Sequence, residues 1–194
     1  MSRFYAVIDF SGTLAVVDEK RTFQRCAQAT GLGAEALMEL TIRPDPTKFD
    51  QATMAACDSI IADEIRQAVP IAGIKKAIVV LKQHHYTVVI SSNGLGWAIK
   101  QWLRDNGLNR YVSLVYGRED GSKDKHFEHL ARTEDVDEWL YIADSPKDFS
   151  PLVQWTGVKK VAVNVRKGES YPKEVVLFYE PLSAEIIQSV AIGG

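Results

Sequence analysis

Apolar residues follow two rhythms along this chain. Phe4 to Ile8 is a short unbroken run rich in β-formers that stops at Asp9, and Ser11-Gly12-Thr13 follows as a turn. That is the pattern of a buried strand ending in a polar loop. From Val16 to Val69 the spacing is helical instead. Phe23, Ala27 and Thr30 lie four and three residues apart before Gly31 stops a first helix, and Ala34 to Leu40 predicts a second. Pro44 and Pro46 break it, and a longer helix is expected from about Lys48 to Ala68. Beyond Pro70 and Gly73, helices predicted over 74–81, 97–103, 125–131, 146–155 and 183–190 alternate with strands over 87–90, 112–116, 139–143, 160–165 and 175–179. Such alternation predicts an α/β protein with a doubly wound parallel sheet, whose ligands sit beyond the carboxyl ends of its strands.

The polar residues fall at those ends. The first strand runs into Asp9, the strand from Thr87 into Ser91-Ser92-Asn93-Gly94, and the strand near Trp139 into Asp144-Ser145-Pro146-Lys147-Asp148. Three strands therefore deliver an acid, a hydroxyl and a second acid to one face. Ser145 and Pro146 suit an N-cap and first helical position, which puts Asp148 in a first helical turn. Between the last two strands, Gly121-Ser122-Lys123-Asp124-Lys125 leads into a helix. Lys123 is favoured over Lys125 as an inward cation, because Phe127 and Leu130 follow it at four and seven residues. Ser92 is favoured over Ser91 because it directly precedes the Asn93-Gly94 bend.

In this order, Asp-x-Ser-Gly-Thr-Leu, then Ser-Asn-Gly after a strand, then Lys before a helix, then Asp-Ser-x-x-Asp resembles the haloacid dehalogenase superfamily. The resemblance implies a Rossmann-like core over 1–15 and 73–194 and a small helical cap over 16–72. It implies a Mg²⁺-dependent phosphohydrolase acting on a small phosphorylated metabolite through an aspartyl phosphate on Asp9. By the same analogy Asp9, the Ser11 carbonyl, Asp144 and Asp148 hold the metal, while Gly12, Ser92, Asn93 and Lys123 engage the phosphoryl oxygens. Attack by a carboxylate on an anionic phosphorus needs such a metal and such donors.

One position departs from that pattern. Phosphatases of the superfamily carry a second Asp two residues after the nucleophile as a proton-transfer group, and here that residue is Ser11. A phosphoryl transferase, a phosphonate hydrolase with Lys48 as the cap lysine, or a degenerate phosphate-binding protein therefore stand as alternatives. Arg43, Lys48 and Arg66 are cap cations placed either near a leaving group or at the surface. His126 and His129, beside Glu119 and Glu128, read as a solvated face rather than a metal site. Gly94-x-Gly96 lacks the third glycine of a dinucleotide loop.

Composition narrows the partners. The 194 residues, 46% hydrophobic and 25% charged, suit one globular domain with a modest insertion. Lys plus Arg number 23 against 25 Asp plus Glu, and a net charge of -2 supplies no basic field for nucleic acid or an anionic membrane. No apolar run approaches the ~20 residues of a membrane span, and Asp9 interrupts the N-terminal run too early for a secretory signal, so a cytoplasmic protein is expected. Cys26 and Cys57 fall in helical patterns and read as reduced packing residues. The sequence sets no oligomeric state.

Overall fold

A computed structural model describes residues 4–42, 47–133 and 136–191. The chain enters through β1 (Phe4–Ile8) and β2 (Ala15–Val16), and then forms α1 (Glu19–Thr30), α2 (Ala34–Ile42) and α3 (Gln51–Gln67). It returns through β3 (Val69–Pro70) to α4 (Ile74–Gln83), β4 (Tyr86–Ser91), α5 (Gly96–Asp105), β5 (Leu114–Tyr116) and α6 (Lys123–Thr133). It ends with β6 (Glu138–Ala143), β7 (Val158–Ala162), β8 (Val175–Leu177) and α7 (Ala184–Ala191).

Six strands form one parallel sheet in the order β5-β4-β1-β6-β7-β8. Both faces of β1 are covered, which explains its unbroken apolar run. Ala6 and Ile8 pack with Val88, Ile90, Ile78 and Trp102 on one face. Tyr5 and Val7 pack with Val89, Phe127, Tyr141 and Phe149 on the other. The register aligns the strand ends: Ile8 is level with Ile90 of β4 and with Ile142 of β6. Residues just past these three strands therefore emerge side by side, with the Asp9 amide extending the ladder to Ile142 O at 2.9 Å.

The helical segment α1–α3 leaves and rejoins the sheet through the antiparallel β2–β3 pair, where Ala15 faces Pro70 and Val16 faces Val69. Inside the segment, buried Glu64 of α3 accepts from Arg21 Nε at 3.0 Å and Arg25 Nη1 at 2.6 Å, tying α1 to α3. Arg118, buried after β5, donates to Thr41 O at 3.2 Å and pairs with Asp58, tying α2 and α3 to the sheet's edge. Cys26 and Cys57 are free and buried in this packing.

Several boundaries differ from the sequence pattern. α3 starts at Gln51 rather than Lys48, because Asp50 caps it by accepting from the Thr53 amide at 2.8 Å. Residues 146–155 are not one α-helix but two short 3-10 turns, Pro146–Asp148 and Ser150–Leu152; Pro151 has no amide hydrogen to continue the ladder. β7 begins at Val158 and ends at Ala162, earlier than 160–165, while β5 and β8 keep only three residues each. No helix among the described residues is long and apolar enough to cross a membrane.

Candidate active site

The site lies past the ends of β1, β4 and β6. After Asp9, buried Phe10 packs edge-on against Trp102 with ring centroids 4.9 Å apart, and the chain turns sharply. The Leu14 and Ala15 amides return to Phe10 O at 2.9 and 3.0 Å. Gly12 adopts φ +76, a left-handed conformation natural to glycine, and a Cβ there would lie 2.0 Å from Asp144 Oδ2. The glycine thus lets the Asp144 carboxylate lie against the turn. Its own amide donates to Ala15 O at 2.8 Å.

Asp9 follows β1, Asp144 and Asp148 both follow β6, and each of the three offers a carboxylate oxygen within 4.8 Å of the others. Lys123, the first residue of α6, reaches into this group. Its Nζ donates to Asp9 Oδ1 at 2.6 Å, to Asp148 Oδ1 at 2.8 Å and to the Tyr141 hydroxyl at 3.3 Å. Lys125 points elsewhere, exposed and paired with Glu128 at 2.8 Å. The helix face explains the difference: Phe127 and Leu130, four and seven residues after Lys123, are fully buried.

His126 belongs to the same buried face and not to a solvated one, which corrects the sequence reading; His129 is exposed. The His126 Nε2 lies 3.0 Å from Gly117 O and its Nδ1 lies 2.8 Å from Ser91 Oγ. A carbonyl can only accept, so Nε2 carries the proton and Nδ1 accepts from the Ser91 hydroxyl. Burial holds its pKa below the ordinary value, in keeping with this neutral ring. Ser91 is therefore spent on anchoring α6. Ser92 is also buried, and its Oγ accepts from the Gly94 amide at 3.0 Å while retaining a proton to donate. Asn93 is exposed at the bend.

The electrostatics are those of crowded acids. Burial pushes Asp9 up to about 7 against the opposing pull of Lys123, and the charge of Asp148 adds to the rise. Burial and then Asp148 push Asp144 up to about 6. Burial works against the Lys123 ammonium, yet the neighbouring Asp9, Tyr141 and Asp148 carry its pKa well above the ordinary value. Three carboxylates against one ammonium leave the cluster short of positive charge. Hard oxygen donors in such an arrangement fit a divalent cation such as Mg²⁺.

Two features have no counterpart in the sequence reading. The Ser11 hydroxyl, half-buried, donates to Glu19 Oε1 at 2.9 Å. The Tyr141 hydroxyl, reached from a strand that reads as pure core, touches Lys123. Among the cap cations, Lys48 pairs with Glu39 and Arg66 with Asp63, both at the surface, and Arg43 lies outside the described residues. An open cavity of about 360 Å³ lies between α3 and the loop following β4, lined by Gln51, Met54, Asp58, Leu95, Arg118 and Glu119.

Comparison with known proteins agrees with this fold. Residues 15–163 match the haloacid dehalogenase-like hydrolase family, so the chain belongs to that family and is a hydrolase. The matched span begins after Asp9, whose placement rests on the structure. No curated protein sequence matches the chain. A predicted phosphoglycolate phosphatase from Haemophilus somnus 129PT superposes with TM-score 0.69 at 15% identity, covering 97% of this chain and 98% of its own. The candidate HAD-hydrolase YfnB from Bacillus subtilis, bound to magnesium, gives TM-score 0.61 at 15% identity, covering 98% and 99%. A substrate-bound phosphoserine phosphatase gives 0.60 at 14% identity, covering 97% and 98%. At these identities the likeness is one of fold.

Proposed function

We propose that this protein is a Mg²⁺-dependent phosphatase that hydrolyses a small phosphorylated metabolite through an aspartyl phosphate on Asp9. The observation that carries this reading is the Asp9 carboxylate at the end of β1, held by Lys123 at 2.6 Å and crowded by Asp144 and Asp148. Asp9, Asp144 and Asp148, with the Ser11 carbonyl, would hold Mg²⁺. When bound, the ion supplies positive charge that offsets the acids and the phosphoryl oxygens.

Lys123 occupies Asp9 Oδ1 and leaves the second oxygen for attack on phosphorus. The new bond from Asp9 to phosphorus forms as the ester bond breaks, and the leaving oxygen keeps that electron pair and takes its proton from solvent water. Water then attacks the aspartyl phosphate and releases inorganic phosphate. Ser92 donates its remaining hydroxyl proton, and Lys123 its charge, to the phosphoryl oxygens. Residues 16–72 act as the cap over a core of 1–15 and 73–194. A small cap over a site at the strand ends suits a small substrate rather than nucleic acid or a membrane. The free, buried cysteines suit the reducing cytoplasm. An exposed Lys48 paired with Glu39 is poorly placed for the Schiff base that a phosphonate hydrolase would need.

The test is a panel of phosphate esters scored by phosphate release with Mg²⁺ and with EDTA. Turnover that requires Mg²⁺ and vanishes in Asp9→Asn is the expected result. Asp9→Asn retaining wild-type turnover would end the covalent reading, and binding without turnover of any ester would replace the enzyme with a phosphate-binding protein.

A further inference from the structure

A lone hydroxyl is a weak proton acceptor at neutral pH, so Ser11 by itself gives an attacking water nowhere to leave its proton. The structure provides a second group. The turn over residues 10–15 carries the chain back so that the start of α1 meets the end of β1, and the Ser11 hydroxyl donates to Glu19 Oε1 at 2.9 Å. Glu19 is the first residue of α1, directly after its Asp18 N-cap. Its charge contributes to the raised pKa of Asp144, whose carboxylate lies against Gly12, the residue after Ser11. The other acids are committed: Asp9 and Asp148 hold Lys123, and Asp144 crowds both. Glu19 stands outside that group, open to solvent.

We propose that Ser11 and Glu19 form a proton relay for hydrolysis of the aspartyl phosphate, Ser11 touching the water and Glu19 acting through it as a positioning and proton-accepting residue. This rests on the phosphatase reading above. A water oxygen bonds to phosphorus as the bond from phosphorus to Asp9 breaks, and that electron pair returns to the Asp9 carboxylate. One water proton passes to Ser11 Oγ while the Ser11 hydroxyl proton passes to Glu19. Glu19, exposed, releases it to bulk water, and inorganic phosphate leaves. Glu19 accepts from the Ser11 hydroxyl, so it serves as a proton acceptor and not as a donor to a departing alkoxide. Its removal therefore slows the second half of the reaction and spares the first.

Rapid-quench kinetics with Mg²⁺ and p-nitrophenyl phosphate separate the halves, since nitrophenolate leaves without an acid. In Glu19→Gln the burst of nitrophenolate keeps its wild-type rate, steady-state turnover falls by about 100-fold, and aspartyl phosphate accumulates on the acid-quenched protein by mass spectrometry. Ser11→Ala gives the same pattern, and the double variant is no slower than either single one, because both remove one relay. Formate restores part of the lost turnover in Glu19→Ala. Glu19→Gln turning over within about threefold of wild type, or losing burst and steady state alike, overturns the relay. If wild type hydrolyses the ester with no aspartyl phosphate at Asp9, the phosphatase mechanism itself fails, and the relay with it.

Discussion

Raising the pH of the metal-free protein should destabilise it across a range where most proteins are indifferent. Asp9 is carried from an ordinary 3.8 to about 7 and Asp144 from 3.8 to about 6, so the folded state holds these protons more tightly than the unfolded chain does. The resulting stability is complete below about pH 4 and is lost as the pH rises through 6 and 7. With close to one extra proton bound by the folded state, each pH step costs about 1.4 kcal/mol. From pH 5 to 7.5 the loss is about 3.5 kcal/mol, which for a chain of this size lowers the melting temperature by roughly 7 to 14 °C.

His126 works in the opposite direction, because its lowered pKa favours the folded state increasingly as the pH rises towards 6.5. The comparison with Asp9→Asn cancels that contribution, since the histidine is present in both proteins. Calorimetry on EDTA-treated protein should show a fall from pH 5 to 7.5 that shrinks by about half or more in Asp9→Asn. Saturating Mg²⁺ should remove most of the fall in wild type, so its stabilising effect is larger at pH 7.5 than at pH 5. Equal pH slopes in wild type and Asp9→Asn, or a Mg²⁺ effect independent of pH, would refute the picture of buried acids waiting for a cation.

Two substitutions test the geometry directly. Lys123→Ala should cost at least about 100-fold in turnover and about 3 kcal/mol or more of metal-free stability, since Asp9 and Asp148 lose their buried counter-charge, while Lys125→Ala stays within about threefold of wild type; steady-state assays and urea titration read both. Gly12→Ala forces a Cβ into the space of Asp144 Oδ2 at a left-handed φ, so Mg²⁺ affinity by calorimetric titration should fall about tenfold or more.

Where the site was legible in the sequence, one physical cause made it so: a polar residue closing an apolar strand is visible without coordinates, and parallel register then sets such endings side by side. Asp9, Ser92 and Asp144 follow from that alone. Lys123 was separable from Lys125 by the helix face it shares with Phe127 and Leu130. The same rule applied one step further would have found His126, since residues 123, 126, 127 and 130 have the spacing of a single buried stripe. The charged residues around it, Glu119 and Glu128, mask that stripe in the sequence. The stretch from 146 to 155 departs from its helical pattern for a local reason, a second proline whose missing amide ends the first turn.

Glu19 was illegible for a different reason. Nothing in its spacing from Ser11 predicts contact; beside Asp18 it reads as an ordinary acid at a helix start. The contact exists because Gly12 reverses the chain and β2 pairs with β3, which brings α1 back over the strand end. The glycine that makes room for Asp144 is thus part of the turn that brings Glu19 to Ser11. A position that looks deficient in the sequence, a hydroxyl where a carboxylate is expected, is completed by a carboxylate from the next helix, and only the fold shows which one.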